Sequence, residues 1–438
     1  MEKLLRFKSK GLLDFKNLGF IFFYIGTFLL PSALFLAAIF ILISCFIGSF
    51  YNSKNFFKDK WNIPLIISGI LMITSAIMHN YILKSPVENL WDKNLSYIGL
   101  FNWIPFFWLF WSSQIYLFSK SDRKIFCFLL IAGSLPVLIS GFAQYYFNIH
   151  GPFQTLYGLI IWYQREVENP SGLTSLFNNA NYAGSWLSIV LPLSIASFLD
   201  ITKSHIKKGI SLLFLLSIGW SILLTNSRSA WGSLLASLPA VIGINSFRWL
   251  LPIITILALF LAITVLPIFS SSFQEYLREI IPNKLWMEFS QLGFESMDVS
   301  RVGIWSDTLQ NILKNPLFGY GGSSFPILYE YQSGFWKGHP HNFLLEIGFS
   351  YGLPAAMIIF IFIIFLIFLS FKKIFLIKNF NLAQEKDFYT KAFWASIFIL
   401  FITQQIDLHY FDGRISIAFW LLLAGLKNIV NEKPLKSE

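Results

Sequence analysis

Four features of this chain bring together residue types that can do chemistry. Arg228 sits in the short turn Leu224-Thr-Asn-Ser-Arg-Ser-Ala-Trp231, between two apolar runs. Arg301 opens a helical stretch. The glycine-rich run Gly319-Tyr-Gly-Gly-Ser-Ser-Phe325 follows it, and His339-Pro-His-Asn342 precedes a further apolar run. The planar fork of arginine donates two parallel charge-assisted bonds to phosphate. Arg228 and Arg301 together therefore suit a pyrophosphate and the charge that grows on it as a leaving group. The plainer alternative is that both mark a membrane interface or pair with acids such as Asp298 and Asp307. Arg165, in Tyr163-Gln-Arg-Glu166, reads by default as a solvated loop charge, with phosphate binding as its functional alternative.

His341 has a more specific setting. Pro340 suits the first turn of a helix, which places His341 near a helix start, where imidazolium is disfavoured and a neutral ring can act as general base. A structural hydrogen bond is the alternative. Asn342 and Glu346 are supporting candidates, with Glu346 one turn on, either orienting the base or packed as an acid at the membrane edge. His339 and His341 lack the carboxylate or cysteine partners of a metal site, so neither metal nor cofactor is expected. The glycine run lacks the spacing of a nucleotide cradle and reads as a flexible loop. No zinc-hydrolase, nucleophile-elbow or kinase motif is present.

The elements that must hold these residues are membrane helices. The chain has 438 residues, 55% hydrophobic and 13% charged, with mean hydropathy +0.61, against about 25% charged in soluble domains. A span needs about 20 mostly apolar residues, and such runs recur along the whole chain. They predict an all-α polytopic integral membrane protein with about twelve spans, near 18–30, 32–50, 62–83, 96–118, 125–148, 176–199, 210–225, 230–246, 249–270, 342–371, 391–409 and 415–427. With the N-terminus cytoplasmic, most of the 33 Lys and Arg fall in the inside loops, including Lys54, Lys58 and Lys60. The net charge of +10 is then mainly a topology signal rather than a nucleic-acid surface. Cys45 and Cys127 both lie in apolar runs, so no disulfide framework is expected. Met1–Lys16 is basic and leads without a small-residue cleavage site into a first span read as retained.

The organisation expected is helices 1–9 over residues 1–270, an outer loop over 271–341, and helices 10–12 with a cytoplasmic tail over 342–438. A loop of such length is expected to fold and to work. Within it, Val302, Trp305, Leu309 and Leu313 have the spacing of an amphipathic helix, capped by Asp298 or Ser300 and ended by Asn315-Pro316.

Three segments carry a family resemblance. They are Asn169-Pro-Ser-Gly-Leu-Thr-Ser-Leu-Phe-Asn-Asn-Ala-Asn-Tyr-Ala-Gly184, Thr225-Asn-Ser-Arg-Ser-Ala-Trp-Gly232, and Arg301 to Leu353, which contains Asn315-Pro-Leu-Phe-Gly-Tyr-Gly-Gly322 and His341-Asn-Phe-Leu-Leu-Glu-Ile-Gly-Phe-Ser-Tyr-Gly-Leu353. In order and spacing they resemble the O-antigen ligase and polymerase superfamily over about 169–353. The resemblance implies a GT-C-like, metal-independent glycosyltransferase of the bacterial inner membrane. It implies transfer of a glycan from undecaprenyl pyrophosphate on the periplasmic face, to lipid A core in a ligase or to another lipid-linked repeat in a polymerase. By position it implies that Arg228 and Arg301 bind the donor pyrophosphate and that His341 is the base for the acceptor hydroxyl. His339 has no assigned part in it. Both termini are expected in the cytoplasm, the site in the periplasm. A transporter, as in superfamily members linked to inorganic-carbon uptake, ranks behind both enzymes, because only Glu346 and Asp407 place ionisable groups near the spans.

Overall fold

The computed structural model describes residues 15–52, 56–83, 90–167, 172–200, 204–243, 270–280, 300–376 and 387–432, with isolated positions between 244 and 269. The expected ninth span, both chain ends and Asp298 lie outside or largely outside the described residues. The chain is a helical bundle. Its helices are α1 (Phe15–Leu29), α2 (Leu34–Asn52), α3 (Ile63–Tyr81), α4 (Leu95–Leu100), α5 (Ile104–Ser112), α6 (Lys120–Gly133), α7 (Leu135–Phe147), α8 (Ala180–Leu199), α9 (His205–Leu224), α10 (Arg228–Ile242), α11 (Ser271–Ile280), α12 (Arg301–Lys314), α13 (Phe325–Ser333), α14 (Phe343–Tyr351), α15 (Leu353–Phe371), α16 (Phe388–Thr403) and α17 (Gly413–Asn431). A two-stranded antiparallel hairpin, β1 (Phe153–Thr155) and β2 (Ile160–Trp162), pairs Phe153 with Trp162.

Among the described residues, seven helical segments are long and apolar enough to cross a membrane: Leu34–Asn52, Lys60–Tyr81, Lys120–Phe147, Ala180–Leu199, His205–Leu224, Leu353–Leu376 and Gly413–Asn431. Phe15–Leu29 and Phe388–Thr403 are shorter apolar helices. α8 and α17 form the centre, with Trp186 and Trp420 fully buried. Their outward neighbours expose aliphatic and aromatic side chains, such as Ile70 and Phe365, as a lipid-facing surface requires.

Several expected spans are broken where backbone chemistry dictates. The fourth is divided into α4, α5 and a 3-10 turn, with Pro105 opening α5. The tenth is two helices, not one. Gly352 separates α14 from α15 at φ +90, and a Cβ there would stand 2.2 Å from the Leu317 carbonyl oxygen. Leu353 N–H instead donates to the Pro316 carbonyl (2.8 Å), so the crossing helix starts at Leu353. The eleventh ends at Thr403, which leaves Asp407 in a loop rather than in a helix.

The same junction corrects the reading of the glycine run as flexible. Tyr320 N–H donates to Phe349 O (2.7 Å) and Gly321 N–H to Ser350 O (3.0 Å), which ties the run across the end of α14. Gly319 has φ +62, and a Cβ there would come within 2.3 Å of the Phe349 carbonyl oxygen. Gly319→Ala is therefore expected to lower stability by about 1–3 kcal/mol. Gly209→Ala, helical with nothing within 4 Å, is expected to change it little. Thermal unfolding of the two purified variants separates them. An unchanged midpoint for Gly319→Ala would refute the strap.

In α12, Ser300 is the cap: its Oγ accepts from Gly303 N–H (3.1 Å). The apolar stripe faces the other way from the usual soluble arrangement. Val302 (71% exposed) and Leu313 (63%) point outward, while Ile304, Thr308 and Ile312 face α14, with Ile312 close to Gly348.

Candidate active site around Asp407

The 404–412 loop joins α16 to α17 and carries the centre of the site. Asp407 is 7% exposed at its side chain and gathers groups from three distant segments and from its own loop. His341 Nδ1 lies 2.7 Å from its Oδ1. Arg301 Nη2 donates to Oδ2 (3.1 Å), and Asn181 Nδ2 donates to the same oxygen (3.0 Å). His409 Nε2 approaches it at 3.2 Å, its ring edge-on to Tyr182. Burial alone would raise the Asp407 pKa. The neighbouring His409, the bond to His341 and the charge of Arg301 hold it well below the usual carboxylate range instead. An ionised carboxylate accepts, so Nδ1 of His341 carries the hydrogen and Nε2 is left to act on something else.

Local structure explains why His341 points there. The helix begins at Phe343 with Asn342 as its cap, Oδ1 accepting from Leu345 N–H (3.0 Å). Pro340 thus precedes the cap, and His341 lies outside the helix with φ +55. His341 is thus near a helix start, as expected, but Pro340 does not lie in the first turn. A left-handed conformation is costly for a residue with a Cβ and has to be held by its surroundings. Two neighbours do so. Asn342 Nδ2 donates to Gln405 O (2.9 Å), binding the turn to the Asp407 loop. His339 Nδ1 accepts the His341 backbone N–H (3.2 Å).

That bond needs a lone pair on His339, hence a neutral ring. Burial first, then the neighbouring imidazoles of His341 and His409 and the charge of Arg301, against an opposing effect of Asp407, pull its pKa down to about 3. Its folded value lies below its unfolded value near 6.5. The unfolded chain therefore binds the extra proton between those limits, and stability falls as pH drops from about 6.5 towards 3. Asp407 adds to this only below the unfolded carboxylate value. His339→Asn is expected to flatten the loss of thermal stability between pH 6.5 and 4. An unaltered slope would remove His339 as its source.

The arginines divide. Arg301, at the first position of α12 and about a third exposed (32%), pairs with Asp407 rather than with Asp307. Arg228 is the first residue of α10. This turn packs on α8 one helical turn beyond Asn181: Gly184 would meet Ser227 and Ala230 if it carried a Cβ. Arg165 is exposed, and its Nη2 donates to Asn178 beside the α8 cap, Asn179. The start of α8 thus has Arg165, Arg228 and Asp407 around it. Glu346 is not the orienting acid. It is buried in α14, bonded to Ser350 Oγ (3.0 Å). Sequence reading singled out His341 and the arginines but not the Asp407 cluster with His409 and Asn181, which the structure brings against His341 and Arg301. The available signal was the density of ionisable residues in Asp407-Leu-His409-Tyr-Phe-Asp412-Gly-Arg414, in a chain otherwise poor in charge. Asp412 and Arg414 serve the frame, Asp412 capping α17 and Arg414 lying over the Phe177 ring at 3.8 Å. Among the described residues no group of three His, Cys, Asp or Glu is arranged to hold a metal ion.

With this geometry in view, residues 212–361 match the family model described as O-antigen ligase. Over that region the chain is similar to the O-antigen ligase family. A search of the curated proteins gives no match. The O-antigen ligase region contains Arg228, Arg301, His339, His341, Asn342 and Glu346. It ends before Asp407 and His409, and it begins after Arg165 and Asn181. The superfamily supports a multi-pass membrane enzyme of the ligase or polymerase kind acting on lipid-linked glycans, and gives the transporter alternative no support.

Proposed function

We propose that the protein is an O-antigen ligase-like glycosyltransferase of the bacterial inner membrane. In this reading it moves a glycan from undecaprenyl pyrophosphate to the lipid A core on the periplasmic face, with both termini cytoplasmic. The observation that carries the reading is the 2.7 Å contact between His341 and an ionised, buried Asp407, because it gives a base whose free nitrogen is set by its partner. An acceptor hydroxyl gives its proton to His341 Nε2 as its oxygen attacks the anomeric carbon. The bond from that carbon to the pyrophosphate oxygen breaks, and the electron pair leaves with the lipid pyrophosphate. Asp407 stabilises the imidazolium formed. Arg301, which keeps donors beyond its one bond to Asp407, and Arg228 hold the departing phosphates, with Arg165 beside them. Inversion at the anomeric carbon is what single displacement gives. No resident metal or cofactor takes part in this scheme. The division into helices 1–9, an outer loop and helices 10–12 belongs to the same proposal.

The polymerase is the second reading, and it differs only in the acceptor. The test is reconstitution of the purified protein with undecaprenyl-pyrophosphate-linked glycan and lipid A core in EDTA. The ligase gives glycosylated core, whereas longer lipid-linked chains without core product mean a polymerase. Arg228→Ala is expected to lower kcat/KM by roughly 10²- to 10³-fold, as loss of one transition-state donor does. Transfer to neither acceptor by folded protein with its native donor would sink both readings.

A further inference from the structure

The start of α3 lies between two apolar grooves, far from the Asp407 cluster. At its other end Ser75 Oγ donates to Phe318 O (2.6 Å) and His79 meets the same carbonyl (3.3 Å), which fixes that end at the face of the 301–341 loop. Lys60 is a whole helix away, about 28 Å at 1.5 Å per residue, close to the thickness of a hydrocarbon core. On one side of α3, Leu65, Gly69 and Ile73 face Phe107 and Trp111 across a cavity of about 510 Å³. On the other, Trp61, Pro64, Ile361, Phe362 and Phe365 line one of about 470 Å³, with the Trp61 ring packed edge-on against Phe362. Each is of a size that holds a ligand rather than a single water.

Lipid fills any groove on a membrane protein. The polar groups at the shared end of these two make a more specific demand. Lys60 borders the second groove, Lys58 is exposed beside it, and neither makes an ion pair among the described residues. The intervening carboxylate does not cancel them. Asp59 caps the Trp61 N–H and is itself neutralised by Lys427, 2.6 Å away. Asn62 is 2% exposed and lines the first groove. Its Nδ2 donates to Phe56 O (2.9 Å), while its Oδ1 is buried without a donor. A buried acceptor left unmet is costly, and two lysines without an acid partner among the described residues attract an anion at a membrane surface. Trp61 and Trp111 stand at the same level, where indoles favour the headgroup boundary.

We infer that this end of α3 binds an anionic phospholipid with a hydroxylated headgroup. Its phosphate sits between Lys58 and Lys60, a headgroup hydroxyl donates to Asn62 Oδ1, and its two acyl chains straddle α3 in the two grooves. The site is independent of the transfer chemistry and needs no glycan.

Native mass spectrometry of the full-length, delipidated protein, titrated with phosphatidylglycerol, phosphatidylethanolamine or phosphatidylcholine, tests it. Phosphatidylglycerol is expected to bind most tightly. Replacing both lysines (Lys58→Gln with Lys60→Gln) is expected to remove that preference, at roughly fivefold per charge and thirty-fold for the pair. Both are exposed, so the fold should persist. Gly69→Leu, whose Cβ would meet only Phe107 at 3.9 Å, fills the first groove and is expected to weaken phosphatidylglycerol binding with an unchanged unfolding midpoint. Equal binding of the three lipids, a preference for phosphatidylethanolamine, or a phosphatidylglycerol preference that survives loss of both lysines would overturn the site and leave only annular lipid.

Discussion

His341→Ala is expected to lower kcat for glycan transfer by about 10²- to 10⁴-fold, the range that a positioned general base supplies. Donor binding should hardly change, because the phosphates are assigned to Arg228, Arg301 and Arg165 and not to the imidazole. The fold should hold too. His341 lies outside α14, and the cap at Asn342 and the bond from Asn342 to Gln405 do not depend on the ring. The measurement is single-turnover transfer with saturating lipid-linked glycan, alongside donor affinity on the same preparation. Activity within threefold of the parent would remove His341 as the base. A loss confined to donor affinity would make it a binding residue instead.

Asp407→Asn should have an effect of the same order for a different reason. An amide has a similar shape, but it can present N–H to His341 Nδ1 and so favour the wrong tautomer. In the serine-protease template, neutralising the acid behind the histidine costs about 10⁴ in kcat. Here the change also leaves Arg301 without its counter-charge. Arg301 is partly solvated, which moderates the effect on stability to about 1–3 kcal/mol, less than for a fully buried pair. Two measurements separate orientation from mere support. The pH–rate profile of the variant should shift or lose its limb for the base, and Asp407→Glu should recover part of the rate. A variant that is only less stable, with parental kcat below its unfolding temperature, would show that Asp407 is structural.

How much of this was legible depended on whether the cause lay nearby in the chain. Apolar runs marked most of the helices, and Ser300 with Asn315-Pro316 bounded α12. Arg228, Arg301 and His341 stood out because ionisable residues are scarce, and because Arg228 and His341 sat at ends of apolar runs and Arg301 opened an amphipathic helix. Asp407 did not, because it read as an acid at the tail of a span. Its partners stand 66, 106 and 226 residues away, and no local period records such pairings. The glycine run misled for a similar reason. Its need for φ above zero is set by the Phe349 carbonyl, not by its own sequence. The stripe of α12 misled because apolar spacing says which residues share a face, while in a membrane protein both the interior and the surface can be apolar.

The closure of the site by the α16–α17 loop has a bearing on how the protein comes into being. Synthesis runs from the N-terminus, so Asn181, Arg228, Arg301 and His341 are all made before the carboxylate that joins them. A chain stopped at any point before Asp407 already carries the arginines and the histidine, yet the imidazole has no acid to set its free nitrogen. Under the proposed mechanism, oriented chemistry begins only after α16 and α17 have entered the bundle, and incomplete products of translation stay silent towards the proposed donor.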